Sequence, residues 1–121
     1  MRPEALGLLT DIQDAARHIA DATTGITYDD FLDNQEKRQS ILFSFLIIGE
    51  AANRLRRVDS ATADRISAVP HIVGLRNSLI HGYRSINYDT VWRTIWESLP
   101  VLRAEVEQLL RWEALEASDE P

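Results

Sequence analysis

The sequence predicts an all-α fold, a bundle of four main helices with several short ones. Apolar residues recur at helical spacing along most of the 121 residues, and the period-two alternation of strands is missing. There is no internal repeat, and no tract rich in glycine, serine or proline marks a linker. We therefore expect one helical domain over residues 1–115 and a flexible acidic tail over residues 116–121.

The first half of the chain contains two of the main helices. Apolar residues step by three or four over residues 3–21, which predicts an amphipathic helix. Thr27 followed by Asp30 is typical of a capping box and predicts a short helix. A long helix is expected over residues 35–57. Its residues 41–48 are almost all apolar, so it should be covered on more than one side, at the centre of a bundle or of a subunit interface.

Gly49 and Glu50 are unusual residues inside this long helix. A helical glycine costs about 1 kcal/mol relative to alanine. Close backbone approach by a neighbouring helix would explain Gly49. Glu50 is a carboxylate on an otherwise apolar stretch. It is either paired with an arginine for a structural reason or placed near a functional cleft.

Caps and helix breakers divide the second half of the chain. Ser60 is predicted to cap a short helix that ends at Ala68. Pro70 should begin the next helix. Gly82 is expected to end that helix in the left-handed conformation. Asn87 then caps another helix.

Two tryptophans and a proline mark the last third of the chain. Trp92 and Trp96 lie four residues apart, so they share one face of a helix. They either stack on nucleic-acid bases or pack in the core, and we favour the core. Pro100 is predicted to break or kink the helix, and a final amphipathic helix follows it.

Composition limits the compartment and the partners. Cysteine is absent, which suits a reducing compartment. No stretch has the form of a signal peptide, and the most apolar run is shorter than the roughly 20 residues that span a bilayer, so we expect a cytoplasmic protein without a membrane partner. The net charge of −6 disfavours nucleic acid. Residues 54–84 nevertheless carry six arginines and two acids, which suits one phosphate strand.

Arg76, Asn77, His81 and Tyr83 lie in one polar run at the predicted end of a helix. Arginine neutralises a phosphate oxygen and histidine transfers a proton, so this set suits phosphodiester cleavage without a metal. Arg76 and His81 are about 140° apart around a helix, whereas Asn77 and His81 share a face. A two-fold dimer would bring two copies of Arg76 and His81 into one cleft and supply both an acid and a base.

A purely structural role is the alternative for these residues. His81 before a glycine also fits a plain C-terminal cap. Asn77 can satisfy backbone groups, and Tyr83 can pack on the helix end. The other histidines, His18 and His71, show no metal-ligand spacing with His81, so neither a metal nor another cofactor is expected.

The run RNSLIHGY, residues 76–83, has the pattern R-x4-H-x-Y. It resembles the signature of HEPN ribonucleases, and in particular that of the HepT toxin family. Upstream, IIGEAANRL resembles the long-helix segment of that family, and LPVLRAEVEQL follows the motif in the expected order and spacing. One departure is the segment DRISAVPHIVGL, which lacks a tryptophan that many relatives carry.

The resemblance implies a homodimeric HEPN-type bundle that cuts RNA as a metal-independent endoribonuclease, with its cleft at the subunit interface. It also implies a toxin restrained by an MntA-type nucleotidyltransferase antitoxin, which would transfer AMP to Tyr83. The resemblance further implies that Arg76 binds phosphate and that His81 acts as the acid and base. Asn77 orients His81 or the substrate, and Glu50 supports the site.

Two other functions stay open at this point. Related all-α domains act as non-catalytic partners of a nucleotidyltransferase, and there Arg76 and His81 would hold a nucleotide phosphate without cutting RNA. A dimeric interaction module whose motif has lost activity is the third possibility. Incubation of the pure protein with RNA distinguishes the ribonuclease from both alternatives, because only the ribonuclease would cut the RNA.

Overall fold

Helices make up nearly all of residues 1–118, the part of the chain that the computed structural model describes. The helices are α1 (Pro3–Thr23), α2 (Tyr28–Asp33), α3 (Gln35–Val58), α4 (Ser60–Ala63), α5 (Val69–His81), α6 (Tyr88–Glu97) and α7 (Leu99–Ser118). A short 3-10 turn at Tyr83–Ser85 joins α5 to α6. No strand occurs within these 118 residues, which confirms the all-α prediction. None of the helices described has the length and hydrophobicity that crossing a membrane requires.

Polar side chains fix the starts of α2 and α6 as predicted. Thr27 Oγ1 accepts the backbone N–H of Asp30 at 3.1 Å, and Asp30 Oδ2 accepts the backbone N–H of Thr27 at 2.9 Å. These two bonds form the expected capping box, and the hydrogen bonds from Thr27 lower the pKa of Asp30. Asn87 Oδ1 accepts the backbone N–H of Thr90 at 3.1 Å and so caps α6.

The start of α4 differs from the prediction. Asp59, and not Ser60, is the cap: its carboxylate accepts the hydroxyl of Thr62 at 2.7 Å and the backbone N–H of Thr62 at 3.1 Å. Both hydrogen bonds lower the pKa of Asp59. The two carboxylate oxygens therefore satisfy both donors of Thr62, the backbone N–H and the hydroxyl. α4 ends at Ala63, well before the predicted end at Ala68, and turns lead from there into α5.

The core lies around α3, which packs against both α1 and α5, while α7 packs against α1 and α6. The largest fully buried side chains are Leu9, Ile12, Ile19, Phe31, Ile41, Phe45, Ile48, Leu55, Ile66, Ile72, Leu99 and Leu102. The expectation that α3 is covered on more than one side is therefore confirmed. Phe43 and Ile47 are exceptions, because they lie on the exposed face of the same helix.

The two tryptophans of α6 lie in different environments. Trp92 is half-buried, with its ring centroid 5.3 Å from that of Phe31 and 5.6 Å from that of Tyr28. Trp96 packs edge-on against Trp92 at 5.4 Å and is 48% exposed. The predicted core position holds for Trp92 and is wrong for Trp96.

The break between α6 and α7 falls just before Pro100, in agreement with the prediction. Pro100 is in the first turn of α7, where a helix leaves backbone N–H groups unused and proline is tolerated. α7 continues to Ser118, so residues 116–118 of the expected tail are helical. The remainder of that tail, residues 119–121, lies outside the described residues.

Candidate active site

α5 presents Arg76 and His81 to different parts of the molecule. The guanidinium of Arg76 reaches α3, where it bonds to Glu50. His81 is the last residue of α5 and lines a cleft between α5 and α6, and Arg76 is not among the residues of that cleft. This arrangement agrees with the 140° separation predicted for the pair. In the single chain described here, the two side chains do not converge.

Gly49 lies directly against Arg76. A Cβ atom built on Gly49 would be 2.3 Å from Cβ and 2.7 Å from Cγ of Arg76, and 3.4 Å from the carbonyl oxygen of Ile72. The first two distances are far shorter than any real contact of a Cβ atom. The predicted close approach at Gly49 is confirmed, and the approaching group is the candidate phosphate-binding side chain itself.

Two neighbours fix the orientation of the Arg76 guanidinium. Nη2 donates to Glu50 Oε2 at 2.7 Å, and Nη1 donates to Asn77 Oδ1 at 2.9 Å. Glu50 is therefore paired with an arginine, one of the two possibilities left open for it. Asn77 bonds to Arg76 and makes no hydrogen bond to His81 among the described residues.

The guanidinium keeps donors for a ligand. Arginine has five N–H groups, and each Nη nitrogen of Arg76 uses one of its two in the bonds described above. Nε is buried and has no hydrogen-bond partner among the described residues. The side chain is 23% exposed, so its outer edge is reachable from solvent. This half-covered, oriented cation is suited to a phosphate oxygen.

His81 and Gly82 end α5. The imidazole of His81 is exposed and makes no hydrogen bond among the described residues. The N–H of Gly82 donates to the carbonyl oxygen of Ser78 at 2.8 Å, so Gly82 caps the helix as expected. The expected left-handed conformation is wrong: Gly82 has φ −131° and ψ 36°, because the chain passes straight into the 3-10 turn. Among the described residues only Gly25 has a positive φ, of 74°.

Tyr83 begins that 3-10 turn and is 65% exposed. The Cζ atom of Arg84 lies 6.0 Å from the centroid of its ring. No described residue hydrogen-bonds to the phenol, and most of the side chain is exposed rather than packed on the helix end. Its hydroxyl is accessible to a large reagent such as another protein.

A cleft of about 820 Å³ lies between α5 and α6 and is closed at one end by the 3-10 turn. His81 lines it near this end, and His71 lines it farther along α5. His71 Nε2 is 3.1 Å from Thr94 Oγ1, so the imidazole bridges α5 and α6. From the sequence, His71 is only one of three histidines without metal-ligand spacing. Its position in the cleft depends on how α6 packs against α5, which residue spacing within α5 does not predict.

Exposed apolar side chains share helix faces with Glu50 and Arg76. Phe43 and Ile47 lie on the same stripe of α3 as Glu50, seven and three residues before it. They are 64% and 37% exposed. Ile80 on α5 follows Arg76 by one helical turn and is 44% exposed. An apolar face next to an oriented cation is typical of a surface that another protein chain covers.

Within residues 1–118, no group of three or more His, Asp or Glu side chains has the arrangement that holds a metal ion. His18 Nε2 lies 2.6 Å from Ser40 Oγ on α3. His18 therefore bridges α1 and α3 through this hydroxyl.

The R-x4-H-x-Y residues lie at the end of one helix of an all-α bundle, as the resemblance to HEPN ribonucleases implies. The family model described as "Ribonuclease HepT-like" matches residues 12–109, which is most of the chain. The chain therefore belongs to the HepT-like ribonuclease family. The resemblance stated from the sequence, and the enzyme class that it implied, are confirmed.

Curated relatives agree with this assignment. "Putative RNase MJ1380" of Methanocaldococcus jannaschii is 35% identical over 101 residues, covering 82% of this chain and 90% of its own. "Putative RNase TTE0752" of Caldanaerobacter subterraneus is 31% identical, with coverage of 87% and 93%. "Probable ribonuclease HepT" of Thermococcus cleftensis is 29% identical, with coverage of 84% and 91%. No solved structure matches the chain.

Proposed function

We propose that this protein is the toxin of a toxin–antitoxin pair, an endoribonuclease that cuts RNA without a metal at a site shared by two copies of the chain. The observation that carries the proposal is the separation of Arg76 from His81 on α5. The reaction needs both groups at one phosphate, and one protomer holds them on different sides of a helix. A second copy packed about a two-fold axis supplies the missing group.

Cleavage requires a base, an acid and a positive charge. His81 of one protomer takes the proton of an RNA 2′-hydroxyl, and the freed oxygen forms a bond to the adjacent phosphorus. The bond from phosphorus to the 5′-oxygen breaks, and that oxygen takes a proton from the partner's His81. The products end in a 2′,3′-cyclic phosphate and a 5′-hydroxyl. Exchange of one proton with water returns both imidazoles to their starting states.

Arg76 supplies the positive charge. Its two free Nη hydrogens can bond to a non-bridging phosphate oxygen, whose negative charge grows in the transition state. Glu50 and Asn77 hold the guanidinium plane in place before the substrate arrives, so no reorganisation is needed during the reaction. In this proposal Glu50 and Asn77 are positioning residues, because they act on the substrate through Arg76.

The exposed apolar face supports the dimer. A second copy placed over Phe43, Ile47 and Ile80 would remove these side chains from water at roughly 25 cal/mol per Å² of apolar surface. The same contact would bring the partner chain next to the Arg76–Glu50 pair. One assembly would then both cover the apolar face and complete the site.

Tyr83 is the proposed point of control, and the partner is a nucleotidyltransferase antitoxin of the MntA type. The exposed phenol oxygen would attack the α-phosphorus of ATP, release pyrophosphate and lose its proton to solvent. The adenylate formed two residues from His81 adds negative charge and bulk. It would compete with the RNA phosphate for Arg76.

Incubation of the purified protein with RNA in EDTA tests the proposal, after mass spectrometry has shown that Tyr83 is unmodified. We expect cleavage with 2′,3′-cyclic phosphate ends, and loss of cleavage in Arg76→Ala and His81→Ala with dimers intact. Arg111→Ala is the matched control for the arginine, since Arg111 is an exposed residue of α7 in an ion pair with Glu107. Binding of RNA or nucleotide without cleavage would instead support the non-catalytic partner, and loss of cleavage in EDTA would contradict the mechanism.

A further inference from the structure

The cleft between α5 and α6 suits an uncharged ligand. Its volume of about 820 Å³ lies in the range of roughly 300–1,000 Å³ that is typical of small-molecule sites. None of the residues that line it is Asp, Glu, Lys or Arg, and the two histidines are its only ionisable groups. A phosphate site would need a fixed cation, so the charge of the cleft favours a neutral ring over a phosphate.

The walls of the cleft are apolar and its rim is polar. Leu75, Leu79 and Val91 are buried residues that form the walls, and Ile86 is half-buried beside them. Hydroxyls, an amide and imidazoles surround the opening. A flat heteroaromatic ring with hydrogen-bonding edges matches this combination.

Two side chains of the rim, Asn87 and His71, each have one hydrogen-bonding group left for a ligand. Asn87 uses Oδ1 to cap α6, and its amide nitrogen has no partner among the described residues. Thr94 Oγ1 donates its single proton to the carbonyl oxygen of Thr90 at 2.8 Å, so it can only accept from His71. His71 Nε2 therefore carries a proton, and in the neutral imidazole Nδ1 is an acceptor. The cleft thus offers one amide donor and one imidazole acceptor.

We infer that this cleft binds an unstacked nucleobase of single-stranded RNA, next to the phosphate that His81 contacts. The inference rests on the proposed ribonuclease function and adds to it a site that selects the bases beside the cut. His71 and His81 are ten residues apart, which is about 15 Å along a helix, so the cleft extends over more than one nucleotide. Proteins that read single-stranded RNA commonly take up splayed bases in such sites.

Two pairs of variants test the cleft. Gly74 and Gly7 are both exposed helical glycines at which an added Cβ meets nothing within 4 Å, but only Gly74 lines the cleft. Gly74→Leu therefore fills the cleft, and Gly7→Leu is its control. Asn87→Asp keeps the oxygen that caps α6 and removes the free amide donor. Asn34→Asp makes the same change at the cap of α3 and is the second control.

The ligands are 2′-O-methyl RNA tetranucleotides, which lack the 2′-hydroxyl and cannot be cleaved, and matching tetranucleotides with one abasic position. By fluorescence anisotropy, we expect the wild-type dimer to bind the best base-containing ligand about tenfold more tightly than its abasic form, as loss of one bound base predicts. Gly74→Leu and Asn87→Asp should lose this difference, and both control variants should keep it.

The outcomes separate this inference from the proposed function. Equal binding of the abasic and base-containing ligands by wild type, or a Gly74→Leu variant that behaves like Gly7→Leu, overturns the nucleobase site even if the protein cuts RNA. A base-dependent affinity that Gly74→Leu abolishes, in a protein that leaves natural RNA intact, upholds the site and contradicts the cleavage function.

Discussion

The backbone of Gly49 lies against the side chain of Arg76, at a distance that leaves no room for a Cβ atom on residue 49. The next residue, Glu50, accepts a hydrogen bond of 2.7 Å from the guanidinium of Arg76. Two consecutive residues of α3 therefore set the position and the orientation of the proposed phosphate-binding group. Local packing and the proposed chemistry depend on the same contact.

Gly49→Ala should lower both stability and activity. The new methyl group must displace Arg76 or push α5 away from α3, which costs about 1–3 kcal/mol and outweighs the gain of about 1 kcal/mol in helix propensity. Urea denaturation and RNA cleavage measure the two effects. Gly7→Ala, where the added Cβ meets nothing, should instead raise the free energy of unfolding by roughly 0.5–1 kcal/mol. A Gly49→Ala protein with wild-type stability and activity would refute the close contact.

Glu50→Ala should lower kcat about tenfold, because the guanidinium loses the group that orients it. Glu50→Gln keeps an acceptor oxygen at the same place and should retain most of the activity. Stability should change little in either variant, since Glu50 is half exposed. Glu107→Ala breaks an exposed ion pair with Arg111 on α7 and is the control. If Glu50→Ala is as active as wild type, Glu50 does not position Arg76.

Phe43→Asp should convert the dimer to a monomer and abolish cleavage. A carboxylate in the middle of the apolar face would be buried without a partner in the dimer. Multi-angle light scattering gives the mass, and circular dichroism checks that the monomer stays folded. Val101→Asp changes an exposed apolar residue of α7 in the same way and should leave the dimer intact. A folded Phe43→Asp monomer with full activity would rule out the shared site.

Tyr83→Phe should keep ribonuclease activity and escape inhibition. The proposed mechanism uses no atom of the phenol for cleavage, whereas the modification needs its oxygen. Incubation with the partner nucleotidyltransferase and ATP, followed by mass spectrometry, should find an adenylate on wild type and none on the variant. Tyr88→Phe alters a half-buried tyrosine that packs under Arg38, and it should still be modified and inhibited. An equal amount of adenylate on Tyr83→Phe would move the modification to another residue.

Periodicity and caps made most of the fold predictable. Helical spacing located the long helices, and the hydrogen bonds of Thr27 with Asp30 are local enough to be read from four residues. The cap of α4 was misassigned because Asp59 and Ser60 are adjacent and both are good caps, so the backbone angles decide between them. Gly82 was expected to be left-handed because glycine after a helix commonly is, but the 3-10 turn requires a negative φ.

The sequence proposes the residues of the candidate site, and the structure adds the contacts that they make. The angle between Arg76 and His81 follows from helix geometry alone, and the structure agrees with it. Gly49 signalled a close approach, but which residue approaches depends on the register of α5 against α3. Helical spacing predicts that Asn77 lies beside His81. In the structure, Asn77 instead accepts a hydrogen bond from the guanidinium of Arg76. Because an arginine side chain is long and flexible, residue spacing alone does not predict which group it bonds to.

A comparison of two mixed dimers tests the shared site most directly. One joins an Arg76→Ala chain to a His81→Ala chain, and the other joins a wild-type chain to a chain with both substitutions, so each dimer has one Arg76 and one His81. Each dimer lacks one of the two imidazoles, so both should be slower than wild type. We predict that the first dimer cuts RNA at least about tenfold faster than the second, because only the first has Arg76 and His81 on different protomers. A first dimer without activity, beside a second that keeps about half of the wild-type rate, would place the whole site in one protomer and contradict the account.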